Sequence, residues 1–284
     1  MDLQTAAASA GPERPSPDRP HPDHARPRPK RLLLWRHGQT DWNVADRAQG
    51  TADIPLNRTG RAQAAAAAPV LAALRPDGIW SSDLSRARDT AGAVARLTGQ
   101  RIALDPRLRE VGVGIRQGLT RDQLGRQHPE VHRHFTSDPA YVVPGAEHPA
   151  DAGARMAAAL GDVTAALDDG GTALVVGHGA AIRWGIIAVL GLTERLSGHL
   201  PEHHLPEQGL HGTVQAPANC AWHVLEHHPG GRWVLATPHG MAAADVADDA
   251  GYLSSAAPPP EPELEPASAD ASSSKGAPSD LSLK

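Results

Sequence analysis

The chain has 284 residues, with 27 Lys and Arg against 32 Asp and Glu and a formal net charge of −5. The excess acid lies at one end: residues 31–240 carry 20 Arg and 20 acidic residues, whereas 241–284 carry eight acids and two bases. A balanced middle gives no whole-molecule field for gripping nucleic acid or an anionic membrane, and neither is expected as a partner.

Proline recurs every second or third residue from Gly11 to Lys30, and 257–278 is built of Pro, Glu, Ala and Ser. Such segments bury too little apolar surface to offset the entropy of ordering, so 1–30 is read as a disordered leader and 241–284 as a disordered acidic tail. Between them, β-type runs alternate with helical ones. Arg31–Trp35 precedes a helix over Arg58–Leu74, Gly78–Trp80 precedes one over Leu84–Leu97, and Arg101–Leu104 is a third strand. Residues 121–147, with Pro129, Pro139 and Pro144, are predicted to be an irregular insertion roofing one end of the sheet. A helix over Ala150–Leu167 follows, then a strand over Ala173–Val176 and a helix over Ala180–Leu190. Ala218–Glu226 and Arg232–Ala236 read as a closing hairpin. The alternation predicts one α/β domain over 31–240, a mostly parallel central sheet with helices on both faces, in three α/β/α layers.

A single cysteine, Cys220, excludes a disulfide framework and a four-cysteine zinc site. Inside a predicted strand it is expected to be a small buried hydrophobe. His199, His203, His204 and His211 are a solvated loop in this reading, since Pro201 and Pro206 break any i, i+4 ligand register. No metal or other cofactor is expected. No apolar run approaches the roughly 20 residues that span a bilayer, and the first residues lack an apolar signal region, so a cytoplasmic location is expected.

Reactive side chains directly follow predicted strands at Arg36-His37-Gly38, Ser81 to Arg86, Glu110 and His178-Gly179. In open α/β sheets, ligands bind beyond the carboxyl ends of the strands, so these segments are expected to converge. Two guanidinium groups repel a cation, and their forks match phosphoryl oxygens, so the site is predicted to hold an anion. Gly38 and Gly179 are expected to let backbone approach that anion and to leave amides free for it.

These residues carry a resemblance. Leu34-Trp35-Arg36-His37-Gly38-Gln39-Thr40-Asp41-Trp42-Asn43 resembles the Arg-His-Gly signature of the histidine phosphatase superfamily, whose members include phosphoglycerate mutases. Leu56 to Ala64 resembles the family's first helix, Ser81 to Ala87 its second phosphate arginine, Leu108-Arg109-Glu110 its acid/base segment and Val176-Gly177-His178-Gly179 its second histidine. The order is the family's. The resemblance implies His37 as nucleophile, Glu110 as acid and then base, and Arg36, Arg86 and His178 as the phosphate clamp. It implies Gln39, Thr40, Asn43, Gln49, Gly50 and Gly179 as pocket residues.

Glu110 and His178 are 68 residues apart, a shorter roof than the mutase branch has, so the resemblance is to the phosphatase branch. The activity implied is metal-independent hydrolysis, through a phosphohistidine, of a small phosphorylated metabolite such as a phosphoglycerate or its sugar derivative. A mutase-type isomerase and a non-catalytic binding protein are the alternatives, and monomer and homodimer are both left open. Relatives commonly have an acidic residue and Trp where this chain has Ile115 and Arg116. The guanidinium there is expected to meet a second anionic group of the substrate.

Overall fold

A strand covered on both faces needs an unbroken apolar run, and Leu32, Leu33, Leu34 and Trp35 supply one that is almost wholly buried. The computed structural model describes residues 28–138, 141–192 and 214–240. They form six strands: β1 (Lys30–Arg36), β2 (Gly78–Ser81), β3 (Ile102–Leu104), β4 (Thr172–Gly177), β5 (Trp222–His227) and β6 (Trp233–Gly240). The sheet order is β3-β2-β4-β1-β5-β6. The first four strands in that order pair in parallel, and β5 and β6 close the edge antiparallel.

Alternate residues of β1 face opposite layers. Leu32 and Leu34 pack with Val175 and Leu225 against α6 (Pro149–Ala165) and α7 (Gly179–Val189), through Met156, Leu160, Ile182 and Ile186. Leu33 and Trp35 pack with Leu174 and Val176 against α2 (Arg58–Ala73) and α3 (Ser85–Thr98). The contact face of α2 is Ala64, Ala67, Ala68 and Leu71, small side chains that bring the helix close to the sheet. The mostly parallel three-layer architecture is the one the alternation predicts.

Three local readings are corrected. Lys30 belongs to β1 instead of the leader, its Nζ donating to the Thr164 carbonyl at 3.1 Å. Much of 121–147 is helical: α4 (Arg121–Gln127) starts on a capping box formed by Thr120 and Gln123, and α5 (Pro129–Ser137) has its proline in the first turn, where the missing N–H costs nothing. Ala218–Ala221 is a turn leading into β5, and Cys220 sits in it at φ 58°, so the cysteine is buried but not in a strand. Residues 1–27 and 241–284, and with them nearly all of the predicted leader and the whole tail, lie outside the described residues, as do His199, His203, His204 and His211. Among the described residues no helix is long and apolar enough to cross a membrane.

The insertion is stitched to the loop after β1, which contains the single turn α1 (Asp41–Val44). Ala48 N donates to Leu119 O at 3.0 Å, Gly118 N to Ala48 O at 2.8 Å, and the Arg47 guanidinium to Gly118 O and, at 3.1 Å, to Gln123 Oε1.

Two glycines fix how α2 meets that loop. A Cβ on Gly60 would lie 2.0 Å from the Gln39 carbonyl oxygen, and one on Gly38 would lie 2.4 Å from that of Gly60. Gly161, on α6, would meet nothing within 4 Å. Helix propensity favours alanine at both helical positions, but backbone overlap outweighs it at Gly60. Gly60→Ala is therefore expected to lose about 2 kcal/mol and Gly161→Ala to gain about 0.5–1 kcal/mol. Thermal unfolding of the two variants checks this, and a Gly60→Ala protein as stable as wild type would contradict the packing.

Candidate active site

Parallel pairing puts the ends of β1, β2 and β4 side by side: Arg36 is in register with Gly177, and Ser81 with Val176. Past those ends the chains stay joined, His37 N donating to Gly177 O at 3.0 Å and Ser82 N to Val176 O at 2.9 Å. His37 and His178, 141 residues apart, end with ring centroids 5.1 Å apart at 58°.

His37 is buried and its Nδ1 lies 2.7 Å from the Gly38 carbonyl oxygen. A carbonyl only accepts, so Nδ1 carries the proton and Nε2 keeps a lone pair. The His37 carbonyl is held by Asn219 Nδ2 at 3.0 Å and Cys220 N at 3.3 Å. His178 Nε2 is 2.9 Å from Ser82 Oγ, while its Nδ1 is buried and makes no protein hydrogen bond.

Arg86 lies on the first turn of α3 and is fully buried. Its Nη1 donates to Ala52 O at 2.7 Å and its Nη2 to Gly50 O at 2.8 Å. Asp53 ties the same loop to α3, accepting from Ser85 N at 2.7 Å. Carbonyls orient the guanidinium without cancelling its charge. Burial, against the attraction of Glu110 and Asp53, brings the Arg86 pKa down to about 10. Arg36 donates from Nη1 to Pro217 O at 3.0 Å. Burial first, then the charges of Arg86 and Arg36, hold the pKa of His37 well below its usual value. Burial, then Arg86, His37, Arg36 and Arg155, do the same for His178. Both rings are therefore neutral, and desolvation contributes more to this than the arginine charges.

Glu110 follows β3 through a 3-10 turn (Pro106–Leu108). Its Oε1 accepts from Val111 N and Ala181 N, both at 2.9 Å, and its Oε2 from Ala180 N at 3.3 Å, so the carboxylate rests on the first turn of α7. This corrects the expectation of free amides: those of Ala180 and Ala181 go to Glu110, and that of Gly38 goes to Thr90 Oγ1 at 3.1 Å. Gly38 is required by its contact with Gly60, whereas a Cβ on Gly179 would make only an ordinary contact, 3.4 Å from Arg36 Nε.

Arg36, His37, Arg86, Glu110 and His178 thus come together at one sheet edge. Of the predicted pocket residues, Gly50 holds Arg86 through its carbonyl at a φ of 52°, and Gln49 is buried beside it. Thr40 caps α1, and Asn43 Oδ1 accepts from Thr40 N at 3.1 Å. Gln39 Oε1 accepts from Asn57 Nδ2 at 3.1 Å, which joins it to the start of α2. Arg116 lies elsewhere, its guanidinium carbon 3.9 Å from the Phe135 ring centroid, in a cleft that also has Asp46, Thr120 and Arg121 on its walls and none of the five residues. Ser82, Thr90 and Asn219 carry roles that sequence reasoning missed, although Ser82 stands in a segment it marked as reactive. Cys220, 4% exposed, has its thiol pKa pushed up to about 12 by burial, which makes it an inert thiol. Among the described residues no three His, Cys, Asp or Glu are grouped to hold a metal ion.

Residues 32–237 match the model of the histidine phosphatase superfamily (branch 1). The chain is 36% identical over 236 residues to a glucosyl-3-phosphoglycerate phosphatase of Mycobacterium tuberculosis, covering 78% of this chain and 99% of that protein. It is 35% identical over 162 residues to a probable phosphoglycerate mutase of Serratia proteamaculans, covering 57% of this chain and 75% of the relative. A solved mycobacterial glucosyl-3-phosphoglycerate phosphatase in complex with VO3 superimposes with a TM-score of 0.62 at 34% identity, over 72% of this chain and 96% of that one.

The depressed histidines link stability to pH. Folded values lie below the unfolded value of 6.5, so above pH 6.5 neither state takes up a proton and stability is unaffected. Below it the unfolded chain binds protons that the folded one refuses, and stability falls by up to about 1.4 kcal/mol per pH unit per histidine. Urea unfolding at pH 7.5 and pH 5.5 is expected to register a loss of about 2–3 kcal/mol, roughly halved in His178→Gln. An unchanged loss in that variant would remove His178 as a source.

Proposed function

The chain belongs to the histidine phosphatase superfamily and is a phosphatase, and from that premise we propose that it hydrolyses a small phosphate monoester, without a metal, through a phosphohistidine on His37. The observation that carries this is His37 itself: neutral, its Nδ1 hydrogen held by the Gly38 carbonyl at 2.7 Å, and flanked by Arg36 and Arg86.

Nε2 of His37 attacks phosphorus as the bond to the leaving alkoxide breaks, and Glu110, whose carboxylate takes up the proton of the monoanionic ester on binding, donates that proton to the alkoxide. The carboxylate so re-formed takes a proton from water, whose oxygen displaces His37 from phosphorus, and passes it to the departing inorganic phosphate, so Glu110 and His37 return to their starting states. Arg36, Arg86 and His178 stabilise the charge on the equatorial oxygens. Burying Nδ1 of His178 and Nε of Arg86 without a partner costs free energy that phosphoryl oxygens offset on binding. Asn43, Gln49, Gly50, Gly179, Gln39 and Thr40 frame the pocket, the last two by holding its wall.

The substrate we propose is a phosphorylated acid of the glucosyl-3-phosphoglycerate kind, by likeness to the mycobacterial relatives, with a carboxylate that reaches past the five residues to Arg116 in the cleft beside Phe135. The mutase-named relatives favour isomerisation as the second reading. A cytoplasmic location, a domain that begins at Lys30 and runs to 240, and dispensable ends complete the proposal.

His37→Ala is expected to abolish turnover. Quenching wild type with labelled substrate should trap an acid-labile, base-stable phosphoenzyme, and a chelator should leave the rate unchanged. Activity in His37→Ala, or its loss on chelation, would overturn the mechanism. Incubation with 3-phosphoglycerate should yield inorganic phosphate, whereas 2-phosphoglycerate as the main product would make the chain a mutase.

Wild type is also expected to favour 3-phosphoglycerate and glucosyl-3-phosphoglycerate over glycerol phosphate by about tenfold in kcat/KM, the size of one charge-assisted hydrogen bond. In Arg116→Ala that preference should vanish. If it persists, Arg116 has no part in specificity.

A further inference from the structure

Among the described residues no strand pairs with the segment that delivers Glu110. Between β3 and the insertion, residues 107–112 must hold a carboxyl group at a fixed place, and the main chain of the insertion reaches them at Gly112, whose carbonyl accepts from Glu147 N at 2.8 Å. One side chain of α6 supplies the rest of the restraint. Arg155 Nη1 donates to the carbonyls of Arg107 at 2.7 Å and Arg109 at 2.8 Å, and its Nη2 donates to that of Glu110 at 3.2 Å. The remaining donors form a fork with Glu147, Nε to Oε1 at 2.6 Å and Nη2 to Oε2 at 2.8 Å. Glu147 in turn accepts from Gly112 N at 3.1 Å, beyond Glu110 in the chain. The ion pair is about three-quarters buried, with side-chain exposures of 22% and 24%. A second pair, Arg109 Nε and Nη2 to the two Asp83 oxygens at 2.7 and 2.5 Å, fastens the same segment to the loop carrying Ser82.

We infer that Arg155, braced by Glu147, is a positioning residue for the acid/base step: it fixes the main chain at 107, 109 and 110 so that Glu110 reaches the leaving oxygen by side-chain rotation alone. The inference rests on the reading of Glu110 as the acid and base. Five donors in a rigid plane are needed to satisfy three carbonyls and a carboxylate together, which a lysine ammonium cannot do. The other reacting groups are carried by β1, α3 and the start of α7, so loss of Arg155 leaves them in place. The charge of Arg155 also adds to the field that keeps His178 neutral.

Misplacing a group by about 1 Å can cost a factor of about a hundred, and here the loss should fall on proton donation alone. The quantity to read is kcat/KM, which ends at departure of the leaving group and so excludes hydrolysis of the phosphoenzyme. Compare 3-phosphoglycerate, whose alkoxide needs a proton, with p-nitrophenyl phosphate, whose phenolate does not, in Arg155→Ala, Glu147→Gln, Glu110→Gln and the double variant Arg155→Ala/Glu110→Gln. Arg155→Ala is expected to lose about 10- to 100-fold on 3-phosphoglycerate and less than about threefold on the nitrophenyl ester. Glu147→Gln keeps volume and shape should Arg155→Ala fold poorly, and is expected to lose in the same selective way by a smaller factor. In the double variant, Arg155→Ala should add no selective loss to that of Glu110→Gln. Equal losses on the two substrates in Arg155→Ala and Glu147→Gln, with Glu110→Gln selective, would overturn the positioning role and leave the acid/base reading standing. A non-selective Glu110→Gln would overturn both.

Discussion

Arg86 is fully buried, and its guanidinium hydrogen-bonds to the carbonyls of Gly50 and Ala52. Partial charges of main-chain oxygens orient it but leave most of its field unspent, and its pKa falls to about 10 for want of hydration. That field, with burial, keeps both histidines neutral, and a neutral histidine is the only kind that can attack phosphorus. An ion pair in place of the carbonyls would give Arg86 a steadier charge, but the same carboxylate would repel the substrate's phosphate. In the function we propose, this unspent charge is what phosphoryl oxygens meet on binding.

Much of this was legible because the signals are local. Four strand-to-loop transitions carry Arg, His or Glu, directly after β1 and β4 and within six residues of β2 and β3, and the parallel sheet brings them to one edge. The helices over α2, α3, α6 and α7 were legible from length and periodicity. What escaped had the opposite character. Ser82 with His178, Thr90 with Gly38 and Asn219 with His37 are contacts between residues 52 to 182 positions apart, and nothing at either end marks them in advance. Cys220-Ala221-Trp222 reads as strand by hydrophobicity, but the left-handed turn at Cys220 is imposed by the hydrogen bond of its amide to His37 O at 3.3 Å and by Trp35 Nε1, which donates to Cys220 O at 3.0 Å. Pro129 contributes to the irregular reading of 121–147 but serves as a first-turn residue, and the Thr120–Gln123 capping box, present in the sequence, announces a helix that proline content conceals.

The glycines teach a related point. Gly38 reads as a backbone opening for a ligand, yet it is required by the carbonyl of Gly60. Its smallness serves protein packing first, and the site geometry follows from it: α2 can sit against the loop after His37 only because neither Gly38 nor Gly60 has a Cβ.

The start of α7 is the remaining piece. Helix N-termini attract anions, and the one here already holds the carboxylate of Glu110 on the amides of Ala180 and Ala181. Phosphate held by those amides would displace the very group that must protonate its leaving oxygen. In the mechanism we propose, the helix end is given to Glu110 and charge on phosphorus is left to Arg36, Arg86 and His178. A carboxyl side chain that swings from those amides to a leaving oxygen does so reproducibly only if its main chain is still, which is why the hold of Arg155 on the carbonyls of Arg107, Arg109 and Glu110 matters to a reaction it does not touch.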